Sequence, residues 1–321
     1  MADRFYDNTR LAAFKRCPRY YYFRHVRDWT GEGKSAALAF GASWHRAMDV
    51  VWQVINGYAD DAEAVDLAYE IFCKEWTNQG MPNPSEIGPA EMAELRGRVP
   101  GTALEMLYSY VEQRGNFIKS NKLEAVEKPF IVPLDPNDPG LWYIGRIDKV
   151  IEHDGDILGI EHKTTSAYSS YGGFRQSFLD SFSPNNQIDG YMFALRMLYG
   201  KRATAIWVDA VLVHKTEHNH TRIVPVERFG SYLDSWLWEV HSWIDQIEAN
   251  HEAMEHQDDG YLAAWPMNTN SCWDFNMPCP YLDVCKARSD PHNMKEPPIG
   301  MIEKPWSPLE HVGLDEKAMK S

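Results

Sequence analysis

The sequence predicts an α/β fold, a mixed sheet core flanked by helices. Three observations carry that expectation. Two alternating runs, Leu141 to Glu152 and Ile157 to Thr164, are joined across His153-Asp154-Gly155-Asp156, and an Asp-Gly pair favours the positive φ angles of a tight hairpin turn. Apolar residues recur at helical spacing ahead of that hairpin, as in Phe40, Trp44, Met48, Trp52 and Ile55. Further strand-like runs at Glu124 to Leu134, Thr204 to His214 and Thr221 to Glu227 alternate with helical stretches and complete a sheet.

The elements follow in order. Thr9 to Arg27 reads as two short helices, with Asn8 or Thr9 as a cap and Pro18 in the first turn of the second. Its run RCPRYYYFRHVR supplies packed aromatics, and Arg16, Arg19 and Arg24 are candidates for a basic patch. A long helix spans Ala39 to Ile55. Asp60 to Lys119 continues as helices around a loop at Gly80 to Pro84, with Leu67, Ile71, Cys73 and Leu104, Leu107, Val111 expected in the core. Glu124 to Leu134 is a first strand from which Glu127 could reach a site on the hairpin that follows, although an exposed strand glutamate is the expected reading. After the hairpin, Thr164 to Phe182 is rich in Ser, Tyr and Gly and suits a loop or lid. Ser183-Pro184 then opens a helix as cap and first-turn proline, on which Gln187 and Tyr191, four apart, share a face. His214, His218 and His220 fall in a polar hairpin loop, and a core helix runs from Phe229 to Ile247.

With 321 residues, 44% hydrophobic and 13% aromatic, the chain can bury the core of one large or two modest domains, which excludes disorder. No apolar run approaches a membrane span. MADRFYDNTR has no basic-then-apolar signal pattern, so the expected location is the cytoplasm, bacterial or of a phage-infected host. The net charge of −14, from 32 basic and 46 acidic residues, argues against a tight nonspecific nucleic-acid coater. Transient engagement of DNA would need a local positive groove and a metal.

Chemistry concentrates in GRIDKVIEHDGDILGIEHK, residues 145–163. Side chains at i and i+2 of a strand share a face, so Glu161 and Lys163 point the same way, and an antiparallel partner can bring Asp148 beside them. Two carboxylates and an ammonium at one spot suit a hard divalent ion, Mg²⁺ or Mn²⁺, next to a phosphate. Taken alone, the same pattern also describes a solvated hairpin whose Glu and Lys pair across its wet face.

Five cysteines are present: Cys17, Cys73, Cys272, Cys279 and Cys285. Three lie within fourteen residues as C-x6-C-x5-C among loop-forming prolines and asparagines, and Cys17 stands near the other end. Clustered thiolates in a reducing compartment point to a soft metal, either zinc or an iron-sulfur cluster. Cys73, with helical apolar neighbours, reads as a packed core cysteine.

Together, Gly145 and Asp148 as G-x-x-D, then Glu161 and Lys163 as E-x-K, resemble the core of the PD-(D/E)XK nucleases, specifically the RecB-like branch. The resemblance extends to His45 in G-x-x-x-H before these motifs and to Gln187 and Tyr191 as Q-x-x-x-Y after them. One cysteine ahead and three behind is the arrangement of the iron-sulfur subgroup that includes the AddB nuclease domain and the CRISPR-associated adaptation exonucleases, although the six-residue gap here is wider than the C-x2-C common there. The resemblance implies a restriction-endonuclease-like core with a helical insertion, and an iron-sulfur clasp joining the chain ends. It implies Mg²⁺ or Mn²⁺ held by His45, Asp148, Glu161 and the backbone carbonyl of His162, with Asp148, Glu161, Lys163, Gln187 and Tyr191 catalytic, and a structural [4Fe-4S] cluster on Cys17, Cys272, Cys279 and Cys285. The implied activity is a DNA exonuclease acting on single-stranded character or free ends in recombination, repair or phage DNA processing, beside a helicase or recombination partner and without a membrane. The rival is a DNA-binding or scaffolding subunit that keeps the fold and has little activity. The expected segments are 1–37 with the first cysteine, a helical region 38–123, a nuclease core 124–264, a cysteine segment 265–288 and a tail 289–321.

Overall fold

The computed structural model describes residues 3–33, 35–57, 60–214, 216–256, 260–274 and 277–313, so residues 314–321 of the expected tail lie outside the described set. In chain order the main elements are β1 (Arg4–Tyr6), α1 (Asn8–Arg16), α2 (Ala36–Asn56), α3 (Asp61–Asn78), α4 (Pro100–Ser120), β2 (Lys122–Pro133), β3 (Leu141–His153), β4 (Asp156–Thr165), α5 (Asn186–Tyr199), β5 (Ala203–Leu212), β6 (Thr221–Glu227) and α6 (Gly230–Glu255). They form a mixed sheet flanked by helices, as the sequence predicts.

Two compact units divide the chain: Met1–Gly33, Pro129–Gly145 and Gly230–Ser321 form one, and Lys34–Lys128 with Arg146–Phe229 the other. In the second unit, β3 and β4 make the expected hairpin, turning where Asp154 and Gly155 take φ of 52° and 90°. Lys149 faces Ile160 and His153 faces Asp156 across it. Because β4 returns to β5 through α5, those two strands run parallel, with Glu161 beside Val208 and His162 beside Asp209. β6 closes the edge antiparallel to β5. Both faces of the sheet are covered. Leu158 and Ile160 face Phe40, Trp44, Trp52 and the apolar stripes of α3 and α4. On the opposite face, Gly159 leaves room for Ile206 and Leu195, since a Cβ there would come within 2.5 Å of Ile206.

In the first unit β1 pairs parallel with Leu141 to Tyr143, and α1 starts where the Asp7 carboxylate accepts from the Arg10 amide at 2.7 Å. Early and late segments of the chain knit together within this unit. Trp29–Gly31 pairs antiparallel with Met301–Glu303, and the buried Arg19 donates to the carbonyls of Trp265 and Leu262, both at 2.6 Å. Arg19 is therefore a structural strut and not part of an exposed basic patch. Gly145 is required by close approach: a Cβ there would stand 2.5 Å from the ring of Phe130.

Three local expectations change. α5 begins at Asn186, because the Asn185 side chain accepts from the amides of Gln187 and Ile188, which makes Asn185 the cap and not Ser183. The segment after β4 contains a small hairpin, Tyr168–Ser169 with Gly173–Phe174, and a one-turn helix, Gln176–Asp180. On α3 the buried stripe is Ala64, Val65, Ala68, Phe72 and Trp76, while Leu67 is exposed and Cys73 is half-buried. The large rings decide that face, since Phe72 packs edge-on against Phe40 at 5.1 Å.

Candidate active site and cysteine cluster

The helix α2 is held by its apolar stripe, and its polar residues His45 and Asp49, one turn apart, project from it toward β3. Asp49 Oδ1 accepts from Lys149 Nζ at 2.7 Å, and the Lys149 side chain has no solvent exposure at all. This buried ion pair pins the helix to the strand next to the residue that matters. Asp148 Oδ2 accepts from the His162 amide at 2.8 Å and lies 3.2 Å from His45 Nδ1. Two predicted metal ligands are thus in contact.

Glu161 and Lys163, two apart on β4, have their Oε1 and Nζ 2.6 Å apart. Lys163 Nζ also donates to Gln187 Oε1 at 2.9 Å, and Gln187 Nε2 donates to Tyr191 OH at 3.0 Å. One hydrogen-bonded line therefore joins the strand pair Glu161 and Lys163 to the helix pair Gln187 and Tyr191.

Glu127 is half-buried at the site and is not the exposed strand glutamate that the sequence favours. It arrives from β2, and its carboxylate, the His45 ring and the Asp148 carboxylate place ligand atoms within 4.8 Å of one another. Glu161 is not in that group. Glu127 also takes φ of 50°, a left-handed conformation that costs a non-glycine residue about 1–2 kcal/mol. Strain of this kind collects where a side chain must be aimed. No composition or spacing signal marks it, because a positive φ at a glutamate in the run VEKPF cannot be read from the letters.

The charges respond to one another. Burial would raise the Asp148 carboxyl, but the imidazole of His45 and then the ammonium of Lys149 hold it well below the ordinary range. Burial lowers His45, yet the carboxylates of Asp148 and Glu161 leave it raised overall. Glu161 is pushed up to about 7 by burial and by Asp148, against the pull of Lys163. Its second oxygen, Oε2, is buried without a hydrogen-bond partner. An orphaned carboxylate oxygen beside a set of nitrogen and oxygen donors suits a hard divalent cation, which would compete with the proton on His45.

The His162 ring is fully buried, edge-on to the rings of His45, Trp52 and Tyr110 with centroids 6.2, 6.1 and 6.2 Å away. Its Nδ1 lies 3.8 Å from Asp209 Oδ2, and Asp209 in turn accepts from Tyr110 OH at 2.7 Å and Arg114 Nε at 3.3 Å. Burial pushes this imidazole well down, so it stays neutral. The contact His162 makes at the carboxylate cluster is through its backbone amide.

In the first unit, Cys17, Cys272, Cys279 and Cys285 line one cavity. The wide gap between Cys272 and Cys279 is folded out as a small hairpin, with Trp273 opposite Pro278, and the Cys279 amide donates to the Cys272 carbonyl at 2.8 Å. That hairpin brings the two thiols to its base. The Asn268 amide points at Cys17 Sγ, 3.3 Å away. Burial raises Cys285 to about 11 against the opposing charge of Arg19, so a cationic centre would be needed to hold its thiolate. Among the described residues no three of these sulfurs lie within 4.8 Å of one another. Cys73 stands apart, on α3 in the other unit.

Comparison with known proteins places these sites in context. The model of the PD-(D/E)XK nuclease superfamily matches residues 8–286. Solved structures that resemble the chain include a candidate exonuclease from Eubacterium rectale, with 14% identity, TM-score 0.46 and coverage of 96% of this chain and 93% of that one. Another is SSO0001, with 14% identity, TM-score 0.27 and coverage of 62% and 73%. No curated protein matches the chain. Among the described residues, no helix is long and apolar enough to cross a membrane.

Proposed function

The chain belongs to the PD-(D/E)XK nuclease superfamily, and from that premise we propose that it is a Mg²⁺- or Mn²⁺-dependent deoxyribonuclease of the RecB-like branch, working as an exonuclease. The observation that supports this most is the convergence of His45, Asp148 and Glu127, together with the line from Glu161 through Lys163 and Gln187 to Tyr191. His45, Asp148, Glu161 and Glu127 would hold the ion. When bound, it lowers the pKa of water and stabilises charge on a scissile phosphate. Lys163 holds a proton-rich ammonium where an attacking water or the phosphate oxygens would lie, and Gln187 fixes that ammonium from the other side. The test is hydrolysis of labelled single- and double-stranded DNA with Mn²⁺ or Mg²⁺ by the wild type and Lys163→Ala. Loss of one such stabilising donor should slow cleavage by about 10²–10³-fold. Cleavage unchanged in the variant, or none by the wild type on any DNA, would remove the proposal, and end-blocked circles beside linear DNA would decide whether free ends are required.

We further propose that Cys17, Cys272, Cys279 and Cys285 hold a structural [4Fe-4S] cluster. What supports a shared metal centre is that the four cysteines, one early in the chain and three late, line a single cavity, and a zinc ion on the same thiolates is the alternative that the colour of the protein decides. A role in recombination, repair or phage DNA processing, beside a helicase or recombination partner in the cytoplasm of a bacterium or infected host, completes the reading.

A further inference from the structure

The strand that carries Glu161 and Lys163 runs on into the hairpin Tyr168–Ser169 with Gly173–Phe174. Its root is firm. Phe174 is buried with Ala210 and Leu212 of β5, Tyr168 stacks on His214 with centroids 4.7 Å apart, and Arg175 Nε donates to the Tyr168 carbonyl at 3.1 Å. Its tip is open. Gly172 and Gly173 take φ of 82° and 83°, and they leave Tyr171 94% exposed, a ring the core does not use. Beside the root, the turn ahead of α4 carries Arg96 and Arg98. Arg98 Nη2 donates to Ser166 Oγ at 3.0 Å, and its charge is opposed first by partial burial and then by the charge of Arg96, so two guanidiniums share this spot. Among the described residues, no ion pair engages Arg96, Arg98 or Arg175. In a chain of net charge −14, three arginines without an ion pair beside the root of a hairpin that exposes a ring are a local exception.

We infer that this hairpin and the Arg96–Arg98 turn form a track for a single strand of nucleic acid, with Tyr171 stacking on an unpaired base and the guanidiniums holding adjoining phosphates. The inference rests on the nuclease reading and adds the substrate's form to it. Aromatic stacking suits single strands because every base has an exposed face there, whereas a base inside a duplex offers none. Arginine supplies a planar fork for phosphate oxygens. Tyr171 follows Lys163 by eight residues, so their Cα atoms lie within about 28 Å, a short walk along an extended strand. The track would hold the strand within that span of the bond being cut.

The test measures binding of labelled oligothymidylate by fluorescence anisotropy in the Lys163→Ala background, where the strand persists. Adding Tyr171→Ala should weaken binding about tenfold or more, the worth of one stacked base, and Tyr171→Phe should stay within about twofold because the ring remains. Arg96→Ala should lower the slope of log Kd against log salt by about 0.7. A blunt duplex should bind equally with and without Tyr171. Single-strand affinity unchanged in Tyr171→Ala, a loss shared by the duplex, or a loss as large in Tyr171→Phe would overturn the inference. Tyr171 is outside the core, and matching thermal unfolding of the variants confirms that binding alone has changed. Cleavage by the wild type is scored separately. A strand held through Tyr171 yet never cut would defeat the nuclease reading and leave the track, and cutting indifferent to Tyr171 would do the reverse.

Discussion

Replacing Asp49 by alanine should destabilise the protein by about 3–5 kcal/mol, the cost of leaving a buried charge without its partner. The magnitude follows from asymmetry in the pair. Lys149 has no solvent exposure and Asp49 accepts its hydrogen bond, so Asp49→Ala strands a buried ammonium. Lys149→Met is milder, because Asp49 keeps Arg46 at 3.0 Å, and the loss should be nearer the 1.5–3 kcal/mol of one charge-assisted hydrogen bond. Removing both charges, in Asp49→Leu with Lys149→Met, should recover most of the stability, since well-packed apolar replacements of buried ion pairs are often neutral or better. Urea unfolding followed by far-UV circular dichroism reads all three, with a constant m-value as the check that the comparison is fair. A loss under about 1 kcal/mol for Asp49→Ala, or a double variant weaker than that single, would refute the view that this pair fastens the helix bearing His45 to the strand bearing Asp148.

Glu127→Ala should weaken Mn²⁺ binding about 10- to 100-fold by calorimetry, and Glu127→Gly should be more stable than Glu127→Ala by about 1 kcal/mol because glycine accepts the positive φ without strain. His25, lowered to about 3 by burial and then by Arg10, stays neutral in the folded protein while the unfolded chain takes up a proton near 6.5. The unfolded state thus binds more protons between about pH 6.5 and 3, so stability should fall as pH drops through that window, and His25→Phe should flatten the decline in urea midpoints. Anaerobic purification should give a brown protein with about four irons per chain, bleached in Cys285→Ser but not in Cys73→Ser. A colourless protein carrying zinc would overturn the cluster.

What the letters reveal here is periodicity and local turn chemistry. The Asp154-Gly155 turn, the apolar stripe of α2 and the i, i+2 placement of Glu161 with Lys163 were all legible because each depends on near neighbours. The same holds for Gln187 and Tyr191, which meet through i, i+4 spacing. Glu127 was legible only as the second of two readings, because its place at the site depends on where β2 docks and on a backbone angle that glutamate rarely takes. Asp49 and Lys149 were passed over for a related reason: each sits beside a residue that was noticed, and only the packing of α2 on β3 shows that they meet. On α3 the period was read correctly but its phase was not, since Leu67 and Phe72 both continue a helical pattern and the larger ring takes the inside. The cap of α5 failed on competition between two good candidates, with Asn185 able to reach two amides that Ser183 cannot. Arg19 looks like a surface cation by composition, and is a strut because the carbonyls of Trp265 and Leu262 lie where its side chain is buried.

The acidity of the chain also acquires a physical role in this arrangement. At the candidate site the carboxylates of Asp49, Glu127, Asp148 and Glu161 are matched by Arg46, Arg146, Lys149, Lys163 and the raised His45, so the cations there are already engaged by carboxylates when a phosphate approaches. A divalent ion adds positive charge that those pairs do not supply, so productive seating of a phosphate should depend on metal. The arginines beside the root of the Tyr171 hairpin make no ion pair among the described residues and should hold a strand in the presence of a chelator. Attachment and cutting would then separate on metal: chelated protein should bind a single strand with little change in affinity while losing all hydrolysis. If chelation abolished both together, the strand would be held at the carboxylates themselves, and the division of labour between the hairpin and the metal site would be wrong.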